Sequence, residues 1–125
     1  MRAAPTRLKR RSDFLRTAAA RHKAALPGLV LQVASQPDAA EAPPRVGFTA
    51  TRKVGNAVVR NRARRRLRAA AASLMPSHAK PGRDYVLIAR NETAARPWAQ
   101  LLEDLEAALR RVRAWREPGE PGEPA

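Results

Sequence analysis

The chain has 125 residues, about the length of one domain. Its 25 Lys and Arg against 11 Asp and Glu leave a formal charge of +14, which opposes compaction unless a polyanion joins in and so points to nucleic acid. Cys is absent, which excludes disulfide scaffolds, thiolate metal sites and Cys nucleophiles, and no apolar run approaches the roughly 18 to 20 residues of a membrane-spanning helix.

Hydrophobic residues make up 44% of the chain, but 27 of them are Ala, so the larger apolar side chains suffice for one small core. Residues 1–10 read as a basic, flexible start, with no hydrophobic signal segment after it. Ser12 is expected to cap a first helix that opens with Asp13 at its positive end and runs through Phe14 and Leu15 to about Arg21. Residues 29–34, bounded by Pro27-Gly28 and Gln36-Pro37, read as a strand. Residues 45–51 alternate Val46, Phe48 and Ala50 with Gly47, Thr49 and Thr51, as a half-buried strand does. These two strands are expected to pair antiparallel.

From Asn56 or Ala57 to Leu74 the period becomes helical, with Val59, Ala63, Leu67, Ala70 and Leu74 on one narrow stripe, and Met75-Pro76 is expected to end the helix. A strand follows at residues 84–89. Pro97 then suits the first turn of a last helix, whose Trp98, Leu101, Leu102, Leu105, Leu109 and Val112 repeat at helical spacing. Trp98 reads as core. Residues 117–125, EPGEPGEPA, read as a disordered tail, which leaves one α+β domain over residues 11–116.

The charge is segregated. Residues 1–83 hold 19 Lys or Arg and 3 acids, residues 84–125 hold 6 Arg and 8 acids, and no acid occurs from 42 to 83. Within the long helix Arg60, Arg64 and Arg68 are spaced four apart and Asn61 and Arg65 form the adjoining row, so like charges lie about 5 to 6 Å from one another. Each such pair costs a few tenths of a kcal/mol in the free protein, which phosphates would offset on binding. The bland alternative is a solvated charged face or a localisation signal.

Other chemistry is poorly supported. His22 and His78 lack neighbours at metal-ligand spacing, no Ser sits in a G-x-S-x-G setting, and VGNAV lacks the Lys-Ser or Lys-Thr of a P-loop. Asp84 opens a strand, where capping a turn is a better role than touching a hydrated Mg²⁺. The chain is therefore not expected to carry a catalytic centre of its own. The competing binding roles are a ribosomal-type structural RNA-binding protein and a nonspecific DNA-binding architectural protein.

The segment RVGFTATRKVGNAVVRNRARRRLR resembles the signature of the bacterial ribonuclease P protein subunit family, with Gly55, Ala57, Val58 and the Arg60-Asn61-Arg62 triplet in one register. LKRRSDFL and DYVLIAR fall where that family has similar segments, so the resemblance covers roughly residues 7–113. It implies an α-β-β-β-α-β-α domain: a small mixed sheet with helices packed on it and a left-handed crossover around the Arg-rich helix, although about 98% of crossovers are right-handed.

It also implies a cytoplasmic ribonucleoprotein whose RNA subunit removes the 5′ leader of precursor transfer RNA. That chemistry depends on Mg²⁺ bound mainly by the RNA subunit and the substrate. The implied partners are those two RNAs, with no membrane and no small-molecule substrate. Arg52, Lys53, Asn56, Arg60, Asn61, Arg62, Arg64, Arg65 and Arg68 would face the catalytic RNA. A cleft between the first helix and the sheet, with Phe14, Arg16, Gln32, Phe48, Thr49 and Thr51, would hold the single-stranded leader.

Ala18 and Gln32 stand where the family pattern has aromatic residues. A base stacked on a ring is worth about 1 to 3 kcal/mol, so leader binding here is expected to rest more on Arg16, Thr49, Thr51 and backbone. Phe14 reads equally well as a core contact of the first helix.

Overall fold

The computed structural model describes residues 5–36 and 41–117. In chain order they form β1 (Thr6–Arg7), α1 (Arg11–Ala19), β2 (Lys23–Leu26), β3 (Leu29–Ser35), β4 (Arg45–Thr49), a 3₁₀ turn (Arg52–Val54), α2 (Ala57–His78), β5 (Arg83–Ala89) and α3 (Trp98–Arg111). The strands make one mixed sheet in the order β1-β4-β5-β3-β2. β4 runs parallel to β1 and β5, β3 runs antiparallel to β5 and β2, and α2 is the crossover between the adjacent parallel strands β4 and β5.

Strand alternation separates two faces. Val46, Tyr85 and Val33 share one register row and Phe48, Leu87 and Leu31 the next but one, so all six point to the same side. There they meet Ala63, Leu67, Ala70 and Met75 of α2 and Leu101, Leu105 and Leu109 of α3 in the core. Truncating a fully buried Leu such as Leu67 or Leu105 to Ala costs about 2 to 5 kcal/mol. The intervening rows, Arg45-Asp84-Ala34, Gly47-Val86-Gln32 and Thr49-Ile88-Val30, point to the other side, where α1 packs.

Several expectations are corrected. β3 and β4 do not pair, because β5 lies between them; Val86, Leu87 and Ala89 make it apolar on both faces, which suits a central strand. The start of the chain is not wholly loose: Thr6 and Arg7 pair with β4, and Leu8 is buried. β2 joins the sheet through a hairpin whose two-residue loop is Pro27-Gly28.

α1 begins at Arg11 with Arg10 as N-cap and no side-chain cap, so Ser12 lies inside the first turn. α2 runs past Pro76 to His78, since the Ala79 N–H bonds the Met75 carbonyl and the segment 114–116 holds this last turn through Lys80 N–H to Ala114 and Arg116 N–H to His78. Residues 1–4 of the expected flexible start, and all of the expected tail except Glu117, lie outside the described residues.

Candidate nucleic-acid interface

The first surface is built by α2 and the turn before it. Gly55 has φ +150°, a value side chains rarely adopt, and a Cβ there would meet Val59 at 3.0 Å. This bend aims Asn56 at the helix start, where its Oδ1 accepts the Val59 N–H at 3.0 Å. Ala63, Leu67, Ala70, Ala71 and Met75 face the core, which turns Asn61, Arg62, Arg65 and Arg68 outward, with Arg60 and Arg64 half-buried beside them. Arg52 and Lys53 stand exposed on the 3₁₀ turn.

Asn61 Oδ1 accepts from Arg64 Nη2 at 2.5 Å. Among the described residues Arg16, Arg45, Arg96 and Arg110 are ion-paired, and no described acid lies in an ion pair with an α2 arginine. All nine residues expected to face the catalytic RNA thus gather on or just before one helix.

Arg66 is the exception on α2. It turns inward and donates to the carbonyls of Thr93, at 2.6 Å, and Arg96, and desolvation together with the nearby Arg62 charge lowers its pKa. Trp98 is not core. It is 41% exposed, and the Arg66 guanidinium lies 6.0 Å from its ring centroid.

The second surface is the α1 side of the sheet. Gly47 has no side chain, and a Cβ added there would lie 2.4 Å from Phe14 Cζ. The half-buried Phe14 ring therefore rests on the sheet at that point. Thr49 lies two residues further along the same face, and Gln32 shares the row of Gly47.

Arg16 is tied to the floor. Asp84, fully buried, accepts from Arg16 Nη2 and from Arg45 Nε and Nη2, the last two at 2.7 Å. Arg16 also donates to the Ser35 carbonyl at 2.8 Å. The Asp84 hydrogen bond raises the Arg45 pKa. Asp84 is thus an ion-pair anchor and caps no turn.

Two expected cleft residues lie elsewhere. Alternation places Phe48 on the opposite, α2 side, where Arg68 sits 5.9 Å from its ring centroid. Thr51 lies past the end of β4 in a depression with Lys53, Arg90 and Asn91. Conversely, Gln32 and Ala18 line a depression of about 330 Å³ with Arg21, His22 and Lys23. None of those three residues was expected in the cleft, although Arg21 and Lys23 close a run of cations that starts at Arg7, Lys9, Arg10 and Arg11.

Metal-holding groups are scarce. Among the described residues no three His, Asp or Glu side chains gather as a metal site. Both Asp84 oxygens accept from guanidinium groups, and Asp104 accepts from Arg96 and the Gly28 N–H, so these carboxylates do not fit a Mg²⁺ ion. Among the same residues no helix is long and apolar enough to cross a membrane.

Comparison with known proteins adds the following. The sequence profile of the family described as Ribonuclease P matches residues 3–113. The Ribonuclease P protein component of Paramagnetospirillum magneticum is 58% identical over 116 residues, covering 91% of this chain and 87% of that protein. That of Ruegeria pomeroyi is 53% identical over 109 residues, 86% of each chain. A solved Staphylococcus aureus RNase P protein superposes with a TM-score of 0.72 at 26% identity, covering 88% of this chain and 97% of that one.

Proposed function

The chain belongs to the ribonuclease P protein family, and we propose that it divides its two RNA contacts between opposite faces of one sheet. As a family member it is an RNA-binding protein that takes part, within a ribonucleoprotein enzyme, in maturing the 5′ end of transfer RNA. In our reading the α2 face, with Arg60, Asn61, Arg62, Arg65 and Arg68, binds the RNA subunit. The α1 face, with Phe14, Arg16, Gln32 and Thr49, holds the single-stranded leader of precursor transfer RNA.

The observation that carries this reading is the arginine face of α2, with Arg62, Arg65 and Arg68 exposed and no acid partner among the described residues. Like charges held this close gain most from a polyanion, whose condensed counterions are released on contact. The α1 side is suited to a single strand because it combines cations with a flat ring.

The chemistry, in this reading, belongs to the RNA. Mg²⁺, held by RNA and substrate, would supply Lewis acidity there. The protein's part is to screen phosphate from phosphate and to position the leader. At low Mg²⁺, bacterial ribonuclease P RNA with the protein should remove the leader while either component alone is slow or inert. Cleavage by the purified protein alone, with contaminating nuclease excluded, would overturn the reading. Co-sedimentation with ribosomal subunits and no effect on ribonuclease P RNA would favour the structural alternative.

A further inference from the structure

A groove of about 310 Å³ runs between β1 and β4 on one side and the C-terminal half of α2 on the other. Phe48 stands on one wall with the Arg68 guanidinium 5.9 Å from its ring centroid, Ala72 and Met75 stand on the other, and Arg7 also lines the groove. Apolar walls with two cations select a ligand that has a flat apolar body and an attached anion. The volume of about 310 Å³ is near the lower end of small-ligand pockets, about 300 to 1,000 Å³, so it suits one nucleotide.

Position identifies the source. The groove opens on the α2 side of the sheet, because Phe48 points there, whereas the proposed leader cleft lies on the α1 side. Arg68 belongs both to the exposed arginine face of α2 and to the groove, so the two surfaces are continuous. We propose that the groove takes one unpaired nucleotide of the RNA subunit, its base against Phe48 and its phosphate between Arg7 and Arg68. This rests on the reading of α2 as the face that binds the RNA subunit.

The test uses full-length protein reconstituted with ribonuclease P RNA. Ala72 is exposed, so Ala72→Phe fills the groove without opening the core or altering charge. The readouts are affinity for the RNA subunit, its salt dependence, and chemical reactivity of unpaired RNA bases. The wild-type protein should shield a discrete unpaired base that Ala72→Phe leaves reactive, with affinity reduced about 5- to 150-fold, the range of one base stack. The salt slope should stay unchanged in Ala72→Phe and fall in Arg7→Gln, by up to about 0.7 to 0.9, because the phosphate is then left with Arg68 alone.

Unchanged shielding and affinity in Ala72→Phe, with a wild-type protein that still binds and supports processing, would overturn the groove proposal alone. A wild-type protein that fails to bind the RNA would overturn the underlying reading as well. A loss confined to precursor transfer RNA would give the groove to the leader, and a lowered Tm with unchanged RNA affinity would give it to a segment of the chain itself. If Ala72→Phe lowers both Tm and affinity, Arg7→Gln decides: an unchanged slope overturns the proposal.

Discussion

At Gly47 the missing side chain lets Phe14 lie on the sheet, since a Cβ would come within 2.5 Å of two of its ring carbons. Gly47→Ala should push the ring away, cost about 1 to 3 kcal/mol of stability through overpacking, and weaken precursor binding more than binding of mature transfer RNA. Equal changes for both RNAs, measured by titration of the reconstituted enzyme, would assign Phe14 to packing alone. Tyr85 supplies a pH test. It is the single tyrosine, fully buried, and donates to the Lys80 carbonyl at 2.8 Å. Burial pushes its pKa well above the ordinary 10.0. The unfolded chain therefore ionises first, so this stabilisation is complete below about pH 10 and is lost as pH rises from there towards the folded value. Denaturant midpoints should fall above pH 10, and less steeply in Tyr85→Phe; the same decline in both proteins would contradict this.

Among the elements, α2 carries the sharpest expectation. Replacing Arg60 and Arg62 together with Ala should weaken binding to the RNA subunit and flatten its salt dependence, by up to about 0.7 to 0.9 for each phosphate no longer neutralised. An unchanged slope in a folded variant would mean that these side chains face solvent in the complex. The helix was legible in the sequence because its apolar stripe and its arginines follow one period, and the central motif set its register. β2 was not, because Ala24 and Ala25 carry no strand signal, although Pro27-Gly28 marked the turn that makes its hairpin. β1 is two residues long and is held by β4, so its pairing is tertiary. Phe48 was placed in the leader cleft by resemblance, yet its own alternation with Gly47 and Thr49 already pointed it to the other face. Trp98 matched the apolar stripe of α3, but it lies in that helix's first turn, where it remains exposed.

Across the whole molecule the sheet acts as a partition. α1 covers one side and α2 with α3 the other, so two strands of RNA can approach without competing for the same cations. The chain has no cysteine, so a single introduced thiol can carry a tethered RNA-cleaving probe without background labelling. Ala18 on α1 and Ala69 on α2 are both exposed and outside the core. With holoenzyme bound to precursor transfer RNA, a probe at Ala18→Cys should cut the leader and a probe at Ala69→Cys should cut the RNA subunit. Cuts in the same RNA from both positions, or leader cuts from the α2 probe, would contradict the division of the two RNAs between the faces of the sheet.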